Sequence, residues 1–195
     1  MALRIVFIPP PGPSVEGYNR TLRAAAQPPS VPISTPFRQS MSIREAVFVD
    51  EQKIPLELEF DDHDPLSFHF LALLPGDRGE EEVPVGTVRI LPVHVGNAPA
   101  IDGGRACIKI GRLAVLKGYR GLGVSRKLVE EAMRWAAENP GALGENWEGW
   151  VLVHAQTEVE GLYVRMGFVR DEGAEPWVED GILHVALWRK LDVAE

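Results

Sequence analysis

The chain holds a single cysteine, Cys107, among its 195 residues, so no internal disulfide can form and a reducing compartment suits it. It has no apolar stretch long enough to cross a bilayer, and a membrane partner is not expected. Basic charge is scarce as well: 20 Lys and Arg stand against 28 Asp and Glu, a formal net charge of −8, which argues against general attraction to a nucleic-acid backbone. Metal-ligand spacing is missing. The one histidine-acid cluster, Asp61-Asp62-His63-Asp64, is consecutive and matches no standard ligand pattern, so no metal is expected. The opening run, Met1 to Ile8, is too short for a signal-peptide core and ends in prolines, so it reads as a strand, and the cytoplasm is the expected compartment with the nucleus left open.

At this length and 45% hydrophobic content, one compact domain over residues 1–195 is expected. Prolines crowd residues 9 to 36, denying them regular ladders, and this stretch reads as an insertion between core elements. Within it, Val15 to Gln27 places Tyr18, Leu22 and Ala25 or Ala26 on one helical face. Ile43, Ala46 and Val47 recur at helical spacing from Ser40 to about Glu51, and Pro55 bars any continuation. Five acids then crowd Glu57 to Asp64, which predicts a solvated loop or the rim of a cleft.

Phe68 to Leu74 and Val83 to Pro92 read as a hairpin around Pro75-Gly76-Asp77-Arg78-Gly79. In the next strand, Ala106 to Val115, Ile108 and Ile110 share a face but Leu113 and Val115 fall out of phase. One extra residue at Gly111-Arg112 restores the alternation, which predicts a β-bulge there. A helix follows with Val124, Leu128, Ala132, Trp135 and Ala136 on its inward stripe, ended by Asn139-Pro140-Gly141. Trp150 to His154 is the next strand, and a strand-helix-strand order implies a parallel pair. Glu158 to Met166 reads as a helix ended by Gly167, and Gly181 to Trp188 as the last strand. The sum is an α+β fold, a mixed and mostly antiparallel sheet flanked by helices.

Between the bulge and the helix lies Lys117-Gly118-Tyr119-Arg120-Gly121-Leu122-Gly123, a basic, small-residue entry to a helix. The first turn of a helix leaves N–H groups unpaired and carries partial positive charge, glycine removes blocking Cβ atoms, and Arg120 adds a full charge. Such an entry suits a phosphate, or else is a tight turn with surface arginines around it. A nucleotide P-loop is excluded because Val124-Ser125, not Lys-Ser or Lys-Thr, follows Gly123. A dinucleotide fingerprint lacks its third glycine, since Arg126 holds that place.

Arg120-Gly121-Leu122-Gly123-Val124-Ser125 resembles the acyl-CoA signature Arg/Gln-x-x-Gly-x-Gly/Ala of the GNAT family of N-acetyltransferases, with Ser125 as its one departure. The resemblance runs from about Ile43 to the C-terminus. It includes the bulged "IGRLAV" and the late-helix "LYVRMGF" at residues 162–168. "REAVFVDEQKIP" and "EDGILHVAL" are similar to the ElaA-type branch. The resemblance implies a parallel pair splayed at the bulge and an acetyl-CoA site built from Leu113, Ala114, Val115, Arg120, Gly121, Leu122, Gly123, Val124, Ser125 and Gln156.

It also implies acyl transfer from the thioester to a primary amine by direct attack in a ternary complex. A main-chain N–H near Leu113 to Val115 would polarise the carbonyl, and Tyr163 would act as the acid beside the sulfur. For the general base, Glu51 and His184 stand ahead of His69 and His154 because they lie in the branch-like segments. For any one histidine, packing with a satisfied ring nitrogen is the commoner role. A non-catalytic acyl-CoA sensor is the rival from another class. If the acids of residues 57–64 line an entrance, they favour a cationic small-molecule or peptide amine. The sequence leaves the acceptor and the oligomeric state open.

Overall fold

The computed structural model describes residues 3–76, 81–93 and 106–193. Its sheet has the strand order β1-β2-β3-β4-β5-β8-β6, with β7 paired to β8. The strands are β1 (Arg4–Ile8), β2 (Phe68–Leu74), β3 (Val83–Leu91), β4 (Ile108–Val115), β5 (Trp150–Gln156), β6 (Val169–Arg170), β7 (Trp177–Glu179) and β8 (Ile182–Lys190). The helices are α1 (Thr35–Arg44), which runs into a π-helical segment Glu45–Glu51, then α2 (Val124–Glu138) and α3 (Glu160–Val164). The expected α+β class, with one parallel pair in a largely antiparallel sheet, is what the structure shows: β4 runs parallel to β5, whereas β1–β2, β5–β8, β6–β8 and β7–β8 are antiparallel.

The chain forms two compact units, residues 1–89 with 112–129, and residues 90–111 with 130–195. In the first, β1 pairs with β2 from Arg4↔Leu73 to Ile8↔His69. All of β2 is buried, which explains a near-continuous apolar run rather than an alternating one. Against it lies a core in which Ile8, Val15, Ala24, Val31 and Ile33 join Phe37, Met41, Ile43, Val47, Phe60, Leu71, Leu73 and Ala114. The proline-rich stretch therefore supplies core side chains.

The helix expected over Val15 to Gln27 does not form. Two short 3-10 turns, Gly12–Val15 and Ala24–Ala26, flank an irregular crossing. Its backbone is satisfied by side chains: Thr21 N donates to Asn19 Oδ1 at 2.9 Å, Asn19 N to Gln27 Oε1 at 2.9 Å, and Gln27 Nε2 back to Asn19 O at 2.7 Å. Such local bonds compete with a helical ladder. The following helix starts earlier than the expected Ser40. Ser34 caps it by accepting from Phe37 N at 3.3 Å, and Pro36 sits in the first turn, where a missing N–H costs nothing.

In the second unit, β5 pairs with β8 from Trp150↔Lys190 to Gln156↔His184, and β6 and β7 add to β8. The last helix is shorter than expected, a 3-10 turn Thr157–Val159 followed by α3, with Gly167 at φ 82 beyond it. Asp180 and Gly181, at φ 50 and 80, make the two-residue turn that folds β7 onto β8. Most of the turn proposed between β2 and β3 lies outside the described residues.

Candidate active site

The bulge is present, and its unusual backbone falls on Arg112, at φ 51, rather than on Gly111. The β4–β5 register covers Ile108↔Val151 to Ile110↔Val153 and stops there, although β4 continues to Val115 and β5 to Gln156. Parallel pairing is given up where the bulge begins.

Beyond β4 the chain turns through a 3-10 turn, Lys117–Tyr119, anchored by Leu116 N donating to Val85 O at 3.0 Å. Gly121 and Gly123 follow at φ 79 and 78, and a Cβ built on either meets nothing within 4 Å. Both carbons would point into open space, so the loop exposes main chain on that side. The bond from Lys127 N to Gly123 O, 3.1 Å, is where the ladder of α2 begins, so the amides of Val124 and Ser125 precede its first intrahelical bond. A diphosphate, with many acceptor oxygens and negative charge, fits this arrangement. The start of α2 is held close to β3 because residue 86 is glycine: a Cβ there would lie 3.0 Å from Leu128 Cδ1, 3.0 Å from Val124 Cγ1 and 3.2 Å from Ala114 O.

Arg120 is tied on both sides. Its Nε donates to Val115 O at 3.0 Å, and its terminal nitrogen donates to Glu51 Oε2 at 2.8 Å. The first unit thus brings Glu51 to the same loop as Leu113, Ala114, Val115, Arg120, Gly121, Leu122, Gly123, Val124 and Ser125.

The expectation of a solvated loop or rim holds for Glu57 and Asp62 of the acid run, which are exposed, and fails for the rest of it. Glu59 and Asp64 are 2% and 0% exposed. Arg44, also buried, binds Glu59 through Nε and reaches Asp64 at 2.6 Å. Arg89 contacts Asp61 at 2.7 Å and Asp64 at 2.9 Å, and Arg112 contacts Asp61 at 3.1 Å. The acids are paid for by guanidiniums from α1, β3 and β4, which single-sequence reading does not place beside them. Asp64 is held well below the usual carboxylate range: burial opposes ionisation, but Arg44 and Arg89 outweigh it. His69, 1% exposed, has its Nε2 3.2 Å from Asp64 O, and burial pushes it down to about 4.

The second unit brings Gln156, His184 and His154 together and also holds Tyr163. Gln156 ends β5 and pairs with His184 of β8. The His184 Nδ1 lies 2.9 Å from Ile182 O, so in the neutral ring that nitrogen carries the proton and the lone pair is on Nε2. Its ring stacks on Trp177 at 6.0 Å. His154 has the opposite arrangement: Nδ1 lies 2.7 Å from Lys109 Nζ, which as an ammonium can only donate, so the proton of the neutral ring sits on Nε2. Burial first, then the Lys109 charge, push His154 down to about 3. Tyr163, 4% exposed, packs edge-to-face on Phe168 at 5.6 Å, and burial raises its phenol above the ordinary range, so it is protonated at neutral pH.

Arg44, Arg89, Lys109 and Trp177 escaped the sequence reading. For Trp177 a signal was present: Asp180-Gly181 between apolar residues marks a two-residue hairpin, which places Trp177 opposite His184. Among the described residues, no helix is long and apolar enough to cross a membrane and no group of three His, Cys, Asp or Glu side chains is arranged to hold a metal.

The sequence pattern of the Acetyltransferase (GNAT) family matches residues 37–168. A Bacillus subtilis protein provisionally named an acetyltransferase is 31% identical over 159 residues, covering 80% of this chain and 90% of its own. A crystal structure from Lactobacillus plantarum, provisionally named an N-acetyltransferase, superposes with a TM-score of 0.63 at 23% identity over 98% of this chain and 99% of that one. ElaA of Escherichia coli superposes with a TM-score of 0.60 at 21% identity, over 97% of this chain and 100% of that one.

Proposed function

Because the chain belongs to the GNAT family of acetyltransferases, we propose that it moves an acetyl group from acetyl-CoA to a primary amine by direct attack within a ternary complex. The observation that carries this reading is the glycine loop: left-handed Gly121 and Gly123 with open space at both Cβ positions, next to the first amides of α2.

In this reading the amides of Leu122 to Ser125 hold the diphosphate, with Arg120 beside them. The main chain of Leu113, Ala114 and Val115 lies along the acyl arm. Bound acetyl-CoA supplies an electrophilic carbonyl and a thiolate leaving group. The attacking amine must first lose a proton. Among the histidines weighed as the base, His184 alone pairs half-burial with a lone pair on Nε2. His69 is buried and His154 has its proton on that nitrogen. We therefore take His184 as the base and Tyr163, kept protonated by burial, as the acid that meets the departing sulfur. The one-domain organisation and cytoplasmic setting remain part of the proposal. A cationic small-molecule or peptide amine is the acceptor class, although the acids of residues 57–64 lend less support to it now that Glu59 and Asp64 are internal.

The test is a panel of primary amines offered with acetyl-CoA and read by release of free thiol. Acetylation of at least one amine is expected, and Tyr163→Phe should lower kcat by about a hundredfold while leaving CoA affinity within twofold. Tight CoA binding without thiol release across the panel would replace the enzyme with a sensor.

A further inference from the structure

Glu51 stands at the end of the π-helical segment Glu45–Glu51, where the backbone closes in wide turns: Gln52 N donates to Val47 O at 3.1 Å and Ile54 N to Phe48 O at 3.0 Å. A π-type end changes which side chain emerges at the last turn, and such irregularities are frequent at functional sites. Here the emerging group is a carboxylate, and it meets Arg120 at 2.8 Å. A guanidinium does not deprotonate in proteins, so this oxygen accepts a permanent charge-assisted bond. That oxygen is thereby committed to Arg120.

Arg120 has a second anchor, its Nε on Val115 O at 3.0 Å. The planar guanidinium therefore spans the end of β4, the entry to the glycine loop and the end of the π-helical segment. With both edges engaged, it fixes the backbone that leads directly into Gly121 and Gly123 at φ 79 and 78. Loss of the Glu51 anchor frees the guanidinium to leave the turn, and the amides beyond it lose their fixed direction. The pair is half-exposed, with side-chain exposures of 45% for Arg120 and 34% for Glu51, so removing it does not threaten folding.

We propose that Glu51 is a positioning residue for the acyl-CoA site, acting through Arg120, and not the general base. The inference rests on reading the glycine loop as that site. It predicts a defect in cofactor binding with no change in proton transfer.

Free CoA titrated calorimetrically into wild type, Glu51→Ala, Glu51→Gln, Arg120→Ala and the double variant tests this, alongside kcat against pH. Glu51→Ala is expected to weaken CoA about tenfold, with kcat within twofold and both limbs of the pH profile unmoved. Glu51→Gln keeps an acceptor oxygen and should recover most of the loss. In the Arg120→Ala background, Glu51→Ala should cost nothing further. The proposal is overturned if Glu51→Gln abolishes turnover and one pH limb while CoA binds normally. Equal losses with and without Arg120 overturn it too. Failure of wild type itself to bind CoA overturns the loop reading and this proposal together, and is distinguished because no variant is needed to see it.

Discussion

Asp64 shows how much can converge on one side chain. It accepts from Arg44 Nη1 at 2.6 Å and Arg89 Nη1 at 2.9 Å, both out of water, and from the Asp61 amide at 2.9 Å. Asp64→Asn keeps the shape and removes the charge, leaving two buried guanidiniums short of a counter-ion, and should cost about 3–5 kcal/mol in urea unfolding. Histidine burial sets a second dependence. His69 has a folded pKa of about 4 against an unfolded 6.5, so between those values the unfolded chain binds a proton that the folded one refuses. Stability then falls as pH drops through that window, by on the order of 2–3 kcal/mol from pH 7 to 4.5 for this group. His154, also depressed, adds a loss of the same sign. Below about pH 4 the lowered Asp61 and Asp64 continue the decline as they protonate. Urea midpoints at several pH values test this, with His69→Gln as control: its decline from pH 7 to 4.5 should be shallower, and an unchanged slope would refute the assignment.

Elements with local signals were legible. The bulge followed from a break in alternation at Gly111-Arg112, the inward stripe of α2 from 3.6-residue spacing, and β2 matched its apolar run residue for residue. What failed was non-local or depended on side-chain bonding. The acid run looked solvated because its arginines come from three other elements, and the Val15–Gln27 periodicity lost to Asn19 and Gln27 bonding the backbone. In the site, the glycine loop was readable while the Arg120–Glu51 bridge, spanning 69 positions, was not. The contact between α2 and β3 carries its own prediction. Gly86→Ala places a methyl against Val124, Leu128 and the Ala114 carbonyl, and the carbonyl cannot yield as a side-chain tip does. The expected result is about 1–3 kcal/mol of destabilisation together with weaker CoA binding, because the displaced turn is the one that begins α2. Unchanged CoA affinity in a destabilised variant would separate the packing from the site.

On the scale of the whole chain, the family pattern begins at residue 37, yet the first unit's core begins at Ile8. Val15, Ala24, Val31 and Ile33 are at most 8% exposed, and burial of each larger aliphatic side chain stabilises by roughly 1.5–3 kcal/mol. Polar bonds tie the same stretch down: Ala24 N donates to Glu45 Oε1 at 2.7 Å, and Arg38 donates to Ala24 O at 2.6 Å. Glu45 is 4% exposed, so removal of Ala24 strips a buried carboxylate of its amide donor. The summed loss approaches the roughly 5–15 kcal/mol of a typical domain's entire stability. A chain starting at Ser34, as the family match alone would suggest trimming it, should therefore fail to fold cooperatively. Circular dichroism through a urea titration, with a dye for exposed apolar surface, reads this directly. Retention of a sharp transition near the full-length midpoint would show that the proline-rich segment is an appendage, against the packing described for it.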